Sequence, residues 1–391
     1  MMTPSSMMLS VALMVSFQLT LTLPLLLLPE NRPVRMVVIV LLVFQYVNLV
    51  NTSSGDAAMN WGLGLAITPQ LLKGFEIYIT HTPASEHFHR IRLRDEPVDG
   101  SNGSNGLSER LLWALELVYT PRGIGWNWEI PYVCYIGTES KSAYLASRIK
   151  RIALFSVMLF ALSNGMPNSK SPSITGHPPL SIGLLVPTWA YAISAYLQLW
   201  LTFTIPATFM VGFGFGDPRA FPYMMGPIGA MASLRCFWGR TWHQAVRRQM
   251  TTAGNLLTSQ AGITKGTIES AYLKLLVGFL ISAWTHAVAG YKARGGGPDL
   301  DPTGAFRFFL LQFCGIVFED LCFHILQLLR IIGADWRNDQ MSQGKYGYGK
   351  GLEWWVLDKA DMVLGYIWVI LWFSITLPPY VEAIRMTGAL D

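Results

Sequence analysis

The run Ser270-Ala-Tyr-Leu-Lys-Leu-Leu-Val-Gly-Phe-Leu-Ile-Ser-Ala-Trp-Thr-His-Ala-Val-Ala-Gly290 carries a single formal charge, Lys274, across a stretch that is otherwise apolar or small. About 20 mostly apolar residues suffice for a helix to cross a bilayer. Inside lipid every backbone polar group must be satisfied within the protein, so helices and closed barrels are the spanning solutions. This run lacks the apolar-polar alternation of a barrel strand and reads as a transmembrane helix.

Similar runs lie on both sides of it. On the N-terminal side they are Met7 to Leu28, with Pro24 inside, Met36 to Val50, and the weaker Ala57 to Leu72, which contains Gly and Pro. Arg151 to Ser163 is short, and Ser181 to Phe215 is long and interrupted by Pro187 and Pro206. Phe306 to Ile332 and Met362 to Ile384 follow. The expected fold is all-α, a polytopic transmembrane helical bundle of about eight spans, with Ser181 to Phe215 crossing once. Composition agrees: 51% of the 391 residues are hydrophobic and 14% are charged, against about 25% charged in soluble domains. Three regions are expected: anchor helices over 1–72, a cytoplasmic loop over 73–150, and a transmembrane domain over 151–391.

The loop contains the flexible run Gly100 to Gly106, an amphipathic stretch from Leu111 to Tyr119, and Pro121-Arg-Gly-Ile-Gly-Trp-Asn-Trp128, whose tryptophans beside an arginine suit a membrane-water interface. The first run lacks a basic n-region and an obvious small-residue cleavage site, so an uncleaved anchor is expected. Placing the N-terminus in the lumen puts Arg32, Arg35 and three basic loops on the cytoplasmic side: 73–150, the loop holding Arg235, Arg240, Arg247, Arg248 and Lys265, and the loop holding Arg337, Lys345, Lys350 and Lys359. Asn51 then faces the lumen and Asn102 the cytoplasm, each within a glycosylation sequon.

The net charge of +5 is spread over these loops and forms no basic stripe of the nucleic-acid-binding kind. Cys134, Cys236, Cys314 and Cys322 form no C-x-x-C pair and read as free thiols. His81, His87 and His89 match no zinc spacing, so no metal is expected. Gly212-Phe-Gly-Phe-Gly-Asp-Pro218 does not sit between a strand and a helix, which removes a Rossmann reading. Neither an H-x-x-x-D motif nor a G-x-S-x-G elbow occurs.

Two segments can carry chemistry. His286 is an ionisable group inside a span, by default a functional candidate. A buried neutral imidazole can take a proton from an alcohol, although a core histidine bonded to a backbone carbonyl would look the same. Ser282 lies one turn earlier, so this helix face is small and polar. The second segment is Ser233-Leu-Arg-Cys-Phe-Trp-Gly-Arg-Thr-Trp-His243, with Arg247 and Arg248 just beyond. Guanidinium forks suit phosphates, and tryptophan faces stack on an adenine or guard a thioester. An interfacial aromatic-basic belt is the plainer alternative. Farther along, Glu319, Asp320 and His324 sit in an apolar span, with Asp320 and His324 one turn apart. They fit a polar lock between helices, or groups that orient a histidine or line an acceptor tunnel.

The 233–243 segment resembles the signature of the wax-synthase-like branch of the membrane-bound O-acyltransferases, including fungal acetyltransferases of terpenoid and meroterpenoid pathways. Ile281-Ser-Ala-Trp-Thr-His286 resembles its second motif, and Arg122 to Trp126 and Glu319-Asp320 also look familial. The likeness covers roughly residues 110–385. It implies an acyl-CoA-dependent O-acyltransferase of the endoplasmic reticulum membrane that moves an acetyl group from acetyl-CoA to a hydrophobic alcohol, with no bound cofactor. His286 would be the base and His243 the second polar group. Arg235, Trp238, Arg240, Trp242, Arg247 and Arg248 are the candidates for holding acyl-CoA. Two other readings stay open at this point: a wax ester synthase using fatty acyl-CoA and a fatty alcohol, and a proton-coupled transporter built on the intramembrane Glu, Asp and His.

Overall fold

The computed structural model describes residues 4–27, 31–80, 87–90, 106–133, 140–167, 170–338 and 359–390. Cys134, His81, Asn102, Lys345, Lys350 and most of the Gly100 to Gly106 run lie outside the described residues. Among the described residues ten helices form the framework: α1 (Pro4–Thr22), α2 (Arg32–Asn51), α3 (Ala57–Phe75), α4 (Leu107–Tyr119), α5 (Lys141–Gly165), α6 (Ile182–Gly212), α7 (Arg247–Gln260), α8 (Ile268–Ala293), α9 (Ala305–Asn338) and α10 (Lys359–Arg385). Among the described residues there is no strand, only a single bridge between Arg90 and Trp126.

Six of these helices are long and apolar enough to cross a membrane: α1 with its extension to Leu27, α2, α6, α8, the Ala305–Ile325 part of α9, and α10. The other two expected spans also form helices, but they are more polar. In α3, Asn60, Gln70, Lys73 and three glycines dilute the apolar run. In α5, Arg148, Lys150 and Arg151 occupy the first half. Even so, α5 turns Leu154, Val157 and Phe160 outward, as α2 does with Val37, Val40 and Phe44. Apolar faces of this extent suit hydrocarbon rather than water. The protein is an integral membrane protein with a helical bundle.

The prolines act as lipid permits. Helix α6 runs unbroken through Pro187 and Pro206, since neighbouring helices and Thr side chains can re-satisfy freed carbonyls in a bilayer. At Pro24, by contrast, α1 gives way to a 3₁₀ turn over Leu23–Leu27.

Helix α8 is the centre of the bundle, flanked by α3, α7 and α9, while α10 packs on α6 and α9. The contact between α3 and α8 is backbone to backbone: a Cβ on Gly64 would lie 2.4 Å from the Cα of Ala289. Only glycine permits that approach. It brings the α3 side chains one turn earlier, Trp61 among them, up against α8. At the end of α8, the Lys292 ammonium donates to the carbonyls of Leu49, at 2.6 Å, and Thr52, tying α8 to the end of α2.

Residues 121–130 belong to the interior rather than to an exposed interface. Gly123 and Gly125 adopt positive φ, and the tight turn they make buries Trp126 and Trp128 against Phe88 and Trp113. Arg122 donates to the carbonyls of Tyr223 and Pro222 at 2.6 and 2.9 Å. The loop thereby clamps the start of the segment that leads into Ser233 to His243.

Candidate active site

Along α8, Tyr272, Phe279 and His286 recur every seven residues, so they share one face and lie about 10 Å apart along the axis. Each meets a different part of the site.

At Tyr272 sits the anchor of the aromatic-basic segment. Ser233 caps a short turn by accepting from the N–H of Cys236 at 3.0 Å, and a five-residue π turn, Phe237–Thr241, follows. The Glu319 carboxylate of α9 accepts from the Leu234 N–H at 2.8 Å. Its neighbour Asp320 takes both Nε and Nη2 of Arg235, together with the Tyr272 hydroxyl at 2.8 Å. Helix α10 completes the seat, where a Cβ on Gly365 would lie 2.1 Å from the carbonyl oxygen of Ala232. The acidic pair is therefore the lock that fixes this segment to α8 and α9. His324 is exposed on α9 and takes no part in the lock.

At Phe279 sits Trp238. Its ring packs edge-on to Phe279 at 5.8 Å and lies 6.0 Å from Phe309. Phe237 stacks on Trp242, and Trp242 leads directly to His243. Gln244 fastens the turn by donating to the carbonyls of Trp238 and Trp242. Two shielded polar atoms here have no hydrogen-bond partner among the described residues: the Trp238 indole N–H and Nδ1 of His243. Buried polar atoms are normally paired, so these two are exceptions.

His286 lies farthest along this face from Tyr272. Its ring is half-buried, flanked by Phe309 at 4.9 Å and by Trp61 of α3 at 6.0 Å. Nδ1 is hydrogen-bonded to the Tyr380 hydroxyl of α10 at 2.8 Å. Phe309 is shared with Trp238, 6.0 Å away, so the two segments named from the sequence meet at one aromatic wall. Ser282 does not join it, because its hydroxyl donates back to the Gly278 carbonyl at 3.1 Å.

The arginines differ in their commitments. Arg248 is paired with Glu76, which also faces Lys73 and accepts from Thr252. Arg247 donates to the Gly239 carbonyl and to Gln244 Oε1. Arg240 has no carboxylate partner among the described residues and lies over the Tyr132 ring at 4.5 Å, with Arg247 over the same ring at 5.6 Å. Tyr132 holds a φ of 66°, rare for a side chain of its size. Sequence reasoning missed Tyr132, Tyr380, Glu76 and the clamp made by Arg122, because each depends on contacts across long separations.

Burial pushes the His243 imidazole down to about 4 from an ordinary value near 6.5. It is neutral at physiological pH and can accept or donate without carrying charge. The folded state binds this proton less readily than the unfolded chain. Its stability is therefore full above pH 6.5 and is lost as pH falls toward 4. Thermal unfolding in detergent should shift down by several degrees from pH 7 to pH 4.5, and His243→Gln should flatten part of that slope. An identical slope in the variant would show that His243 does not titrate this way.

Comparison with known proteins points the same way. A model of the membrane bound O-acyl transferase family matches residues 221–311, which include both histidines and the whole 233–243 segment. An acetyltransferase of Rhodocybe pseudopiperita is 26% identical over 284 residues, 71% of this chain and 67% of that protein. An O-mevalon transferase of Penicillium terrestre is 28% identical over 332 residues, 78% of this chain and 73% of that one. An acetyltransferase of Hericium erinaceus is 26% identical over 359 residues, 88% and 82% of the two chains. A histidine within a span near an aromatic-basic turn, in a helical bundle that shares sequence with acyl-transferring enzymes along most of its length, marks this chain as an acyltransferase, similar over residues 221–311 to the membrane bound O-acyl transferase family.

Proposed function

We propose that the protein transfers an acetyl group from acetyl-CoA to the hydroxyl of a hydrophobic, terpenoid or meroterpenoid alcohol, in the endoplasmic reticulum membrane. The observation that carries this reading is that His286 and Trp238 pack against the same ring, Phe309, with the Trp238 indole N–H lacking a partner among the described residues. The relatives named as acetyltransferases favour acetyl over the fatty acyl donor of a wax ester synthase. The relative named as an O-mevalon transferase supports the same transfer chemistry with a different group.

In this reading acyl-CoA enters from the cytoplasmic face and the alcohol enters from the membrane. Arg235 and Arg248 are held by carboxylates, so Arg240, with Arg247 beside it, is the better partner for the donor's phosphates. His286 takes the hydroxyl proton as the oxygen attacks the thioester carbonyl. The Trp238 N–H and His243 face the developing oxyanion. The tryptophan and phenylalanine walls exclude water, which would otherwise compete as the acceptor.

Thiol release tests this directly. Membranes containing the protein should free CoA from acetyl-CoA only when a hydrophobic alcohol is supplied. Arg240→Ala should raise KM for acetyl-CoA about tenfold, the worth of one charge-assisted contact. Alcohol-independent release would reject the acceptor assignment, and an unchanged KM would move the phosphate site elsewhere.

A further inference from the structure

Tyr380 lies well outside the segment that matches the family model and outside both sequence motifs, yet it makes the one polar contact recorded for His286 among the described residues. The phenol is held in place on every side. Its ring is 6% exposed and stacks on Phe308 at 4.6 Å with an interplanar angle of 7°. One turn earlier on α10, Thr376 accepts from Gln312 of α9, and Gln312 also accepts from Trp372. Ser374 accepts from the Trp189 indole of α6 at 3.0 Å. Helices α6 and α9 thus fix the stretch of α10 that carries the phenol, while Phe309 and Trp61 flank the imidazole. So much support around a single hydroxyl is the arrangement that orients a reacting group.

We propose that Tyr380 is the positioning residue of His286: its phenol engages Nδ1 and leaves Nε2 as the nitrogen that meets the alcohol. This rests on the acyl-transfer reading above. The pair has two tautomers. With the phenol O–H donating to Nδ1, Nε2 carries a proton and cannot act as a base. With Nδ1–H donating to the phenol oxygen, the Nε2 lone pair faces the reacting hydroxyl. In that second form Nε2 takes the alcohol proton while the alcohol oxygen bonds to the thioester carbonyl carbon. The carbon-sulfur bond then breaks, the sulfur leaves as thiolate, and the proton on Nε2 passes to it. The products are the ester and CoA thiol, and His286 returns to its starting state. Throughout, Nδ1–H stays on the phenol, which keeps the ring from turning and shares the positive charge of the transient imidazolium.

Tyr380→Phe isolates the hydroxyl, because the ring stack on Phe308 is kept. The expected result is a kcat lowered 10- to 100-fold, a KM for acetyl-CoA within twofold of the parent, and an unfolding temperature within a few degrees. Tyr380→Leu, which also removes the stack, should lower the unfolding temperature as well. A Tyr380→Phe enzyme with parental kcat would overturn the proposal. So would parallel changes in kcat, KM and unfolding temperature, which would make the hydroxyl merely structural. His286→Ala is run alongside: if that variant is inactive while Tyr380→Phe is fully active, only the positioning role fails, whereas an active His286→Ala would remove the acyl-transfer reading of this site.

Discussion

His286→Ala should abolish acyl transfer, by 10²–10⁴-fold or more, in a protein that still inserts and folds. General-base assistance is worth roughly that factor when the base is positioned before the substrate arrives. Here the base is positioned by Tyr380 on one side and by two aromatic rings on the others. The fold does not depend on it to the same degree. The imidazole is half-buried and makes one recorded hydrogen bond, so its removal costs about 1–3 kcal/mol, mostly for the phenol left behind. His286→Asn separates the two effects, since an amide can still partner Tyr380 but cannot serve as a base. Both variants should be equally inactive, with His286→Asn the more stable, as read by CoA release and by thermal unfolding in detergent. Full activity in a well-expressed His286→Ala protein would remove the assignment.

This histidine stands out as a candidate in the sequence alone, because the cost of a polar group in hydrocarbon makes its presence informative. The same rule marked Glu319 and Asp320, and their inter-helix lock is the structural reading made physical. It could not separate His324, which shares a helical face with Asp320 in the sequence yet stands exposed. Helical spacing says which side chains lie on one stripe and nothing about what the stripe faces. Nor could hydropathy rank α3, a weak span that turns out to be the closest partner of α8. Its glycines weaken the apolar signal and at the same time allow the approach at Ala289. The tryptophans of 121–128 misled in the opposite direction. Beside an arginine they suggested an interface, but Gly123 and Gly125 fold them inward. Tyr380 gave no signal at all, since one tyrosine after two prolines in an apolar run becomes meaningful only when α10 is laid against α8.

Removing the Asp320 carboxylate should have the second-largest effect, and it decides what Arg235 is for. Asp320→Ala leaves Arg235 and the Tyr272 hydroxyl without their shared acceptor. Breaking one partner of a partly buried ion pair costs far more than replacing both. Because Arg235 keeps some access to solvent, a loss of about 2 kcal/mol is the appropriate scale. It should appear as a fall of roughly 2–3 °C in unfolding temperature. Activity should fall at least tenfold, because Trp238 and His243 hang from the segment that Arg235 pins to α9, and a shift of 1 Å in a reacting geometry is costly. Replacing both partners, as in Arg235→Leu with Asp320→Leu, removes the uncompensated charge and should restore at least half of the lost stability. In that double variant KM for acetyl-CoA should stay within twofold of the parent if Arg235 is purely a lock. A tenfold rise in KM with stability restored would mean instead that the guanidinium leaves Asp320 to meet the donor's phosphates, and the ion pair would then be a gate that the donor opens.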